Sequence, residues 1–381
     1  MDREAPVYFD HHSTTPCDPR VVEAMIPYFS EEFGNASSIT HLHGRAAAHA
    51  VAEARQAIAT FLGAESAEVY FTSGATESNN IALRGLAFHR GRHLITSAIE
   101  HKSILDPAKQ LEREGVEVTI LPVDSSGFVD PHSLRDAIRG DTALVSIMAA
   151  NAEIGSIEPI ADLAAVCSER GVPFHTDATQ AIGKIPFRFD EMAVDLVSLS
   201  AHKFYGPKGI GVLMVRRGLR VEPLVRGGGQ EKGLRSGTIN VPGVVGLAAA
   251  LELRRSEMAG EAIRLAAIRD HLRDRLTTEI DGVTINGPRD RRLPGNLNAS
   301  FAGLESEAVM MAVRRFSLSS GSACSSGDRE PSSVLLAIGC DEATAMGSIR
   351  FGLGKSNTLE QIDALVEDLK VAVRNLREIT I

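Results

Sequence analysis

From about residue 69 onward, short apolar runs alternate with stretches in which apolar residues recur every three or four positions. The runs predict strands at Val69–Thr72, His93–Ala98, Val116–Val123, Ala143–Met148, Phe174–Asp177, Asp195–Ser200 and Val212–Arg216. Helical spacing fills Asn79–Phe88, Ile104–Glu114 and Ile160–Arg170 between them. Strands that are apolar along their whole length are buried on both faces. The alternation therefore predicts an α/β protein with a mostly parallel seven-stranded sheet sandwiched by helices. The last two strands are joined only by the turn around Lys203, which predicts one antiparallel pair.

Upstream, the first forty residues read as polar and irregular, with turn signals in DHHSTTPCDP and FGNASSITHLHG. Gly44–Leu62 then carries Ala47, Val51, Ala54, Ile58 and Phe61 at helical spacing. After Gly243 the pattern changes. A long helical region runs to about Thr278, with Val245, Leu247 and Leu251 giving way to Ile263, Ala267, Leu272 and Leu276. A strand (Asn298–Phe301), a helix (Ser306–Arg314), a Ser/Gly-rich loop (Ser319–Gly327), a strand (Ile349–Gly352) and an amphipathic helix (Leu359–Leu376) follow. This reads as a smaller α+β C-terminal domain.

Composition narrows the class of protein. The 381 residues are 44% hydrophobic and 23% charged, ordinary for a globular chain, and the net charge of −9 argues against nucleic acid as the main partner. No apolar run approaches the roughly 20 residues of a membrane span, and no secretory signal is visible. Cys17, Cys167, Cys324 and Cys340 are widely spaced, which indicates neither a disulfide framework nor a metal site. The expectation is a cytoplasmic protein with free thiols.

Candidate chemistry gathers where strands end. The strand in DLVSLSAHKFYGPKGIG presents Ser200, His202 and Lys203 at its tip. A lysine there either keeps its head in water or serves as an amine nucleophile that condenses with a carbonyl. FTSGATES joins a strand to a helix through Gly74 and Ala75. The helix start is either an ordinary cap or an anion cradle helped by Thr76. His101 follows one strand, Asn151 another, and Asp177 with Gln180 a third, all at carboxyl ends where open α/β sheets bind ligands. A carboxylate such as Asp177 either caps a helix or pairs with a buried cationic nitrogen. The glycines of Gly206–Gly211 and Gly227–Gly229 lack the strand-to-helix context of a dinucleotide fingerprint. Cys324, in SSGSACSSG, has no apolar neighbours and reads as a reactive thiol on an exposed loop. Arg350, in SIRFGLG, is either a structural ion-pair partner or a clamp for a carboxylate.

Taken in order, FDHHSTTP, FGNASS, FTSGATESNN, TSAIEHKS, HTDATQ, SAHKFYGPKGIG, GGGQEKGLRSGT, SSGSACSS and SIRFGLG resemble the cysteine desulfurases of the NifS/IscS type, within the class V aminotransferases of PLP fold type I. The resemblance implies residues 16–260 as a large cofactor domain, and 1–15 with 261–381 as a small domain carrying the Cys324 loop. It implies pyridoxal 5'-phosphate bound to Lys203, with Ala75, Thr76, Ser200 and His202 on the phosphate and Thr238 reaching the phosphate of a second subunit in a homodimer. His101 stacks on the ring and moves protons, Asp177 pairs with the pyridine nitrogen, and Gln180 bonds the ring hydroxyl. Asn35, Asn151 and Arg350 meet the substrate L-cysteine. Cys324 takes its sulfur as a persulfide for an acceptor protein in iron–sulfur cluster or thio-cofactor biosynthesis, leaving L-alanine. Ala36 and Ala152 depart from the Pro and Asn the family commonly has there. The rival readings are a selenocysteine lyase, a class V aminotransferase, and a non-catalytic subunit on the same scaffold. Cys324 argues against the aminotransferase, and retention of Lys203, Asp177, His101 and Cys324 together argues against the non-catalytic subunit.

Overall fold

The computed structural model describes residues 6–320 and 330–380. Its strands, in chain order, are β1 (Val7–Tyr8), β2 (Val69–Thr72), β3 (His93–Ser97), β4 (Glu117–Leu121), β5 (Thr142–Ser146), β6 (Phe174–Asp177), β7 (Leu196–Ser200), β8 (Gly211–Val215), β9 (Val283–Ile285), β10 (Asn296–Phe301), β11 (Phe316–Ser317) and β12 (Ser348–Gly352). Seven of them form the expected sheet, in the order β2-β8-β7-β6-β5-β3-β4. The pairs from β7 through β6, β5 and β3 to β4 are parallel. The single antiparallel pair expected from the pattern becomes two, because β8 inserts between β7 and β2 and runs against both. One consequence matters for the site. The carboxyl ends of β2, β3, β5, β6 and β7 all open on one edge of the sheet.

Both faces of the sheet are buried. On one, Ala47, Val51, Ala54 and Ile58 of the helix Leu42–Leu62, Leu163 and Val166 of Ile160–Glu169, and Val244 and Leu247 of Val241–Glu279 pack on Phe71, Val145, Phe174 and Val197. On the other, Ile81, Leu83 and Leu86 of Ala75–Ala87 and Ile104 and Leu111 of Lys102–Arg113 meet Leu94, Leu144, Leu196 and Leu213. The inner strands must be apolar on both sides to fill these layers, whereas the edge strand β4 is partly exposed.

A second core lies around the antiparallel sheet β12-β10-β9. Phe301, Ile349 and Phe351 pack there with Leu265, Ile268, Leu272 and Leu276, and with Ile362, Leu365 and Leu369 of the terminal helix Leu359–Thr380. The 39-residue helix Val241–Glu279 thus contributes to both cores. Ile263 and Ala267, expected among its core positions, are exposed, and Leu265 and Ile268 take the inward places. Arg254 is buried between the two stretches, held by Glu261 at 2.8 Å.

The amino-terminal segment is more regular than its polarity suggests. Pro19–Met25 is a helix capped by Asp18, whose side chain accepts the Arg20 N–H at 3.1 Å, and Pro27–Ser30 adds a further turn. β1 pairs in parallel with β11, and Asp10 bridges Gly352, so residues 7–10 are bound into the second unit.

Candidate active site at the carboxyl edge of the sheet

A cavity of about 670 Å³ opens on that edge. Most of its wall comes from strand ends: Gly74–Glu77 after β2, Ile99–Ser103 after β3, Met148 and Ala150–Glu153 after β5, Asp177 with Gln180 after β6, and Ser200–Lys203 after β7. Ser13 and Thr14, Lys208, Arg350 and residues 330–334 complete it.

Gly74 makes the first corner possible. Its φ of +151° is a conformation that favours glycine, and a Cβ there would lie 3.5 Å from Ser200 Oγ. The helix beginning at Ala75 has no side-chain cap, so its first amides face the cavity wall with Thr76 and Ser200 beside them. Glu77, in the same first turn, accepts from Arg235 Nε at 2.8 Å and ties the segment that carries Thr238 to this helix. His202 Nδ1 lies 3.0 Å from Thr14 Oγ1. Burial, with Lys203, Lys208 and Lys184 nearby, pushes the His202 imidazole down to about 4, so it is neutral near pH 7.

Lys203 Nζ donates to the carbonyls of His12 at 2.9 Å and Ser13 at 2.6 Å, which hold the amine at the cavity floor. Beside it, Lys184 is pushed well below the usual lysine range by burial, with Lys203 and Arg350 adding to the effect. It donates to Gln180 Oε1 and lies 3.4 Å from His12 Nδ1. Gln180 Nε2 donates to the His12 carbonyl at 2.9 Å. Asp177 is buried. Its Oδ1 accepts the Thr179 N–H at 3.0 Å and its Oδ2 accepts from Asn79 Nδ2 at 2.8 Å.

His101 caps the helix Lys102–Arg113, its Nδ1 accepting the Ser103 N–H at 3.1 Å. Its ring is open to the cavity, yet crowding by the walls lowers its pKa from the ordinary histidine value, an effect that Asp177 opposes and Lys203 reinforces. Glu100, next in chain, is fully enclosed and pushed up to about 8, accepting from Ser97 Oγ and the Met148 N–H, both at 2.7 Å. Arg350 reaches the cavity from β12. Its Nη2 donates to Asp10 Oδ1 at 2.7 Å and Ser13 Oγ at 2.6 Å, while its buried Nε has no partner among the described residues. An unpartnered guanidinium N–H suits a carboxylate ligand.

The structure brings Ala75, Thr76, His101, Asn151, Asp177, Gln180, Ser200, His202, Lys203 and Arg350 to one cavity. Asn151 holds its own turn there. Its Oδ1 accepts the Glu153 and Ile154 N–H groups at 2.7 and 3.0 Å, and its Nδ2 donates to the Ile99 carbonyl at 2.9 Å. Asn35 and Thr238 are exposed and do not line the cavity of their own chain. Cys324 lies outside the described residues, but residues 330–334, which follow it in the chain, form part of the cavity wall. Among other cysteines, Cys167 is buried in its helix, while Cys17 and Cys340 are partly exposed. No group of three or more His, Cys, Asp or Glu placed to hold a metal occurs among the described residues, nor does a helix long and apolar enough to cross a membrane.

Sequence reasoning missed His12, Asn79, Ser103 and Lys184. Lys184 lies in the turn that follows Gln180, where Gly183 takes a φ of +78°, and had no periodic signal. Asn79 had a signal, in the first turns of the helix after the small-residue corner.

Comparison with known proteins agrees with this geometry. The family model "Aminotransferase class-V" matches residues 7–365. The cysteine desulfurase IscS of Anaeromyxobacter dehalogenans is 51% identical over 380 residues, covering 98% of this chain and 94% of that protein. The human cysteine desulfurase is 49% identical, covering 98% of this chain and 83% of its own length. A solved NifS-like protein superposes with a TM-score of 0.91 at 38% identity, covering 97% of this chain and 99% of that one. The solved structure of SspA in complex with cysteine gives 0.82 at 40% identity, covering 91% and 98%. By sequence across nearly its whole length and by fold, the chain belongs to the cysteine desulfurase family of class V aminotransferases.

Proposed function

We propose that this cysteine desulfurase binds pyridoxal 5'-phosphate in the cavity at the sheet edge and takes sulfur from L-cysteine as a persulfide on Cys324, releasing L-alanine. The observation that carries the reading is the convergence of Lys203, Asp177, His101 and the uncapped helix start at Ala75 on one cavity from four separate strand ends.

These residues fit the cofactor. The free amides at Ala75 and Thr76, with Ser200 and His202 around them, suit a phosphate. Lys203 supplies the amine for its aldehyde, and buried Asp177 an acceptor for a protonated ring nitrogen. Gln180, its amide shared with His12 and Lys184, would bond the ring hydroxyl. When bound, the cofactor supplies an electron sink that weakens bonds at the substrate's α and β carbons. Arg350 clamps the substrate carboxylate, with Asn35 and Asn151 assigned to the same region. Lys203 and His101 hold and move the protons. The thiolate of Cys324 then attacks the substrate sulfur. The carbon–sulfur bond breaks, a sulfur–sulfur bond forms, and the carbon keeps the bonding pair and gains a proton, so cysteine and thiol become alanine and persulfide. Cys324 passes that sulfur to an acceptor protein serving iron–sulfur cluster or thio-cofactor assembly in the cytoplasm.

The reading includes two domains, 16–260 and 1–15 with 261–381, and a homodimer in which Thr238 reaches the partner's phosphate. Thr238 is exposed, and Phe29, Phe33, Ile39 and Leu42 leave an apolar surface on the amino-terminal segment that a second subunit would cover.

Incubating the full-length protein with L-cysteine and no reductant tests the reading. The peptide containing Cys324 should gain the mass of one sulfur atom as alanine is released. Cys324→Ser should keep the cofactor's visible absorption yet make almost no alanine, an alcohol being a far weaker nucleophile than a thiol. Full alanine production by that variant would overturn the persulfide role.

A further inference from the structure

Behind His101 runs a chain of hydrogen bonds whose direction is fixed by chemistry. Asp177 is its anchor: its Oδ1 accepts the Thr179 N–H at 3.0 Å, and its Oδ2 accepts from the Asn79 amide nitrogen at 2.8 Å. The second hydrogen of that nitrogen goes to Ser103 Oγ, also at 2.8 Å. Having accepted there, the Ser103 hydroxyl has its own hydrogen to give, and His101 Nδ1 lies 2.8 Å away. The Ser103 backbone N–H points at the same Nδ1 from 3.1 Å, and an N–H can only donate. Two donors meet at Nδ1, so that atom carries the lone pair. The ring proton sits on Nε2, which bonds no described group, on a ring that lines the cavity. Asn79, Ser103 and Asp177 are all buried, so bulk water does not compete for the bonds among them, while the His101 ring itself is exposed.

We propose that Asn79 and Ser103 are positioning residues that fix His101 as the Nε2–H tautomer, anchored on Asp177, and so present a proton donor to the cavity that holds Lys203. In the resting protein His101 offers a hydrogen bond from Nε2 and cannot accept a proton there, and it can release that proton only as another enters at Nδ1 from the Ser103 side. A second proton would have to enter at Nδ1, which would turn an acceptor of two hydrogen bonds into a donor facing the Ser103 N–H. The charges around the ring are Asp177 from β6, Lys203 after β7, and Lys102 and Asp106 from its own helix. They oppose one another in sign. Use of the donated proton rests on the desulfurase reading above, whereas the tautomer itself does not.

Neutron diffraction from deuterated crystals of the full-length, cofactor-loaded protein tests the tautomer directly. Density for a deuteron is expected on His101 Nε2 and none on Nδ1, and a deuteron on Nδ1 would overturn the proposal. Kinetics supply the second readout. Ser103→Ala should leave KM for L-cysteine and cofactor absorption within twofold of wild type, and lower kcat about fivefold, the effect of one lost hydrogen bond. It should also move the acid limb of the pH profile upward by about half a unit, because the neutral ring loses a donor. Ser103→Thr, which keeps the hydroxyl, should restore both. An unchanged kcat and acid limb in Ser103→Ala would overturn the positioning role. A wild-type protein that takes up no cofactor would instead overturn the functional reading, and the proton on Nε2 would still be decided by diffraction from crystals of the unloaded protein.

Discussion

The cavity has two walls of different origin. One is made of strand ends, and its residues, Thr76, His101, Asn151, Asp177 and Lys203, each stand within a few positions of a strand. The other is made where Ser13 and Thr14 of the amino-terminal segment meet Arg350 of β12, with Asp10 bonded to Arg350 across 340 residues of sequence. The first wall is placed by a local rule, since a parallel sheet delivers every strand's carboxyl end to the same edge. The second exists only because β1 pairs with β11 and Asp10 bridges Gly352. The strand-end wall therefore survives any change that leaves the sheet intact, whereas the other depends on a few long-range contacts.

Substitutions should separate the walls. Lys203→Ala has the largest expected effect: loss of the visible cofactor band and a fall in kcat of at least about a thousandfold, measured as alanine formed from L-cysteine. Arg350→Gln should raise KM for L-cysteine about a hundredfold with a much smaller change in kcat, as expected of a residue that binds rather than reacts. Asp10→Asn should raise KM only about fivefold, by loosening the Arg350 headgroup. A loss in Asp10→Asn as large as in Arg350→Gln would mean that the second wall works as one inseparable unit.

The last and smallest expectation concerns stability. Burial pushes Glu158 up to about 8, while its Oε2 accepts the Val129 N–H at 3.0 Å. Between the ordinary glutamate value and about 8, the unfolded chain has released this proton and the folded chain still holds it. Stability must therefore fall as pH rises through that window, and Glu100 acts with the same sign. Glu158→Gln keeps an acceptor without a titrating group. It should leave alanine production unchanged and reduce the loss of unfolding free energy between pH 5 and pH 8 by on the order of 2 kcal/mol, read from urea denaturation. An identical pH dependence in the variant would sink this account of Glu158.

The same division governs what was legible in the sequence. An apolar run ending in Ser200, Asp177 or Glu100 announces both a strand and the position of its tip, so the seven strands and most of the first wall could be read. The insertion of β8 between β7 and β2 could not, because a buried strand has the same pattern whichever neighbour it pairs with. Pro19–Met25 escaped because seven residues hold barely two turns, although Asp18 followed by Pro19 is a helix-start signal. Ile263 misled because a long helix rotates its buried face as it leaves one core for the next. Ser103 and Asn79 looked like ordinary helix-start residues, since their importance lies in partners 24 and 98 residues away.

The helix Val241–Glu279 has a consequence for how the chain comes apart. Val244, Leu247 and Leu251 anchor it in one core, and Leu265, Ile268, Leu272 and Leu276 in the other. A helix in water gains little from its own backbone, and its persistence depends on what its apolar face touches. Loss of either core would strip about half of that face and weaken the rod that the other core packs against. The two units should therefore melt in one cooperative transition rather than two. The amides of Val244 and Leu276, though far apart along the rod, should exchange with solvent through the same rare, global opening.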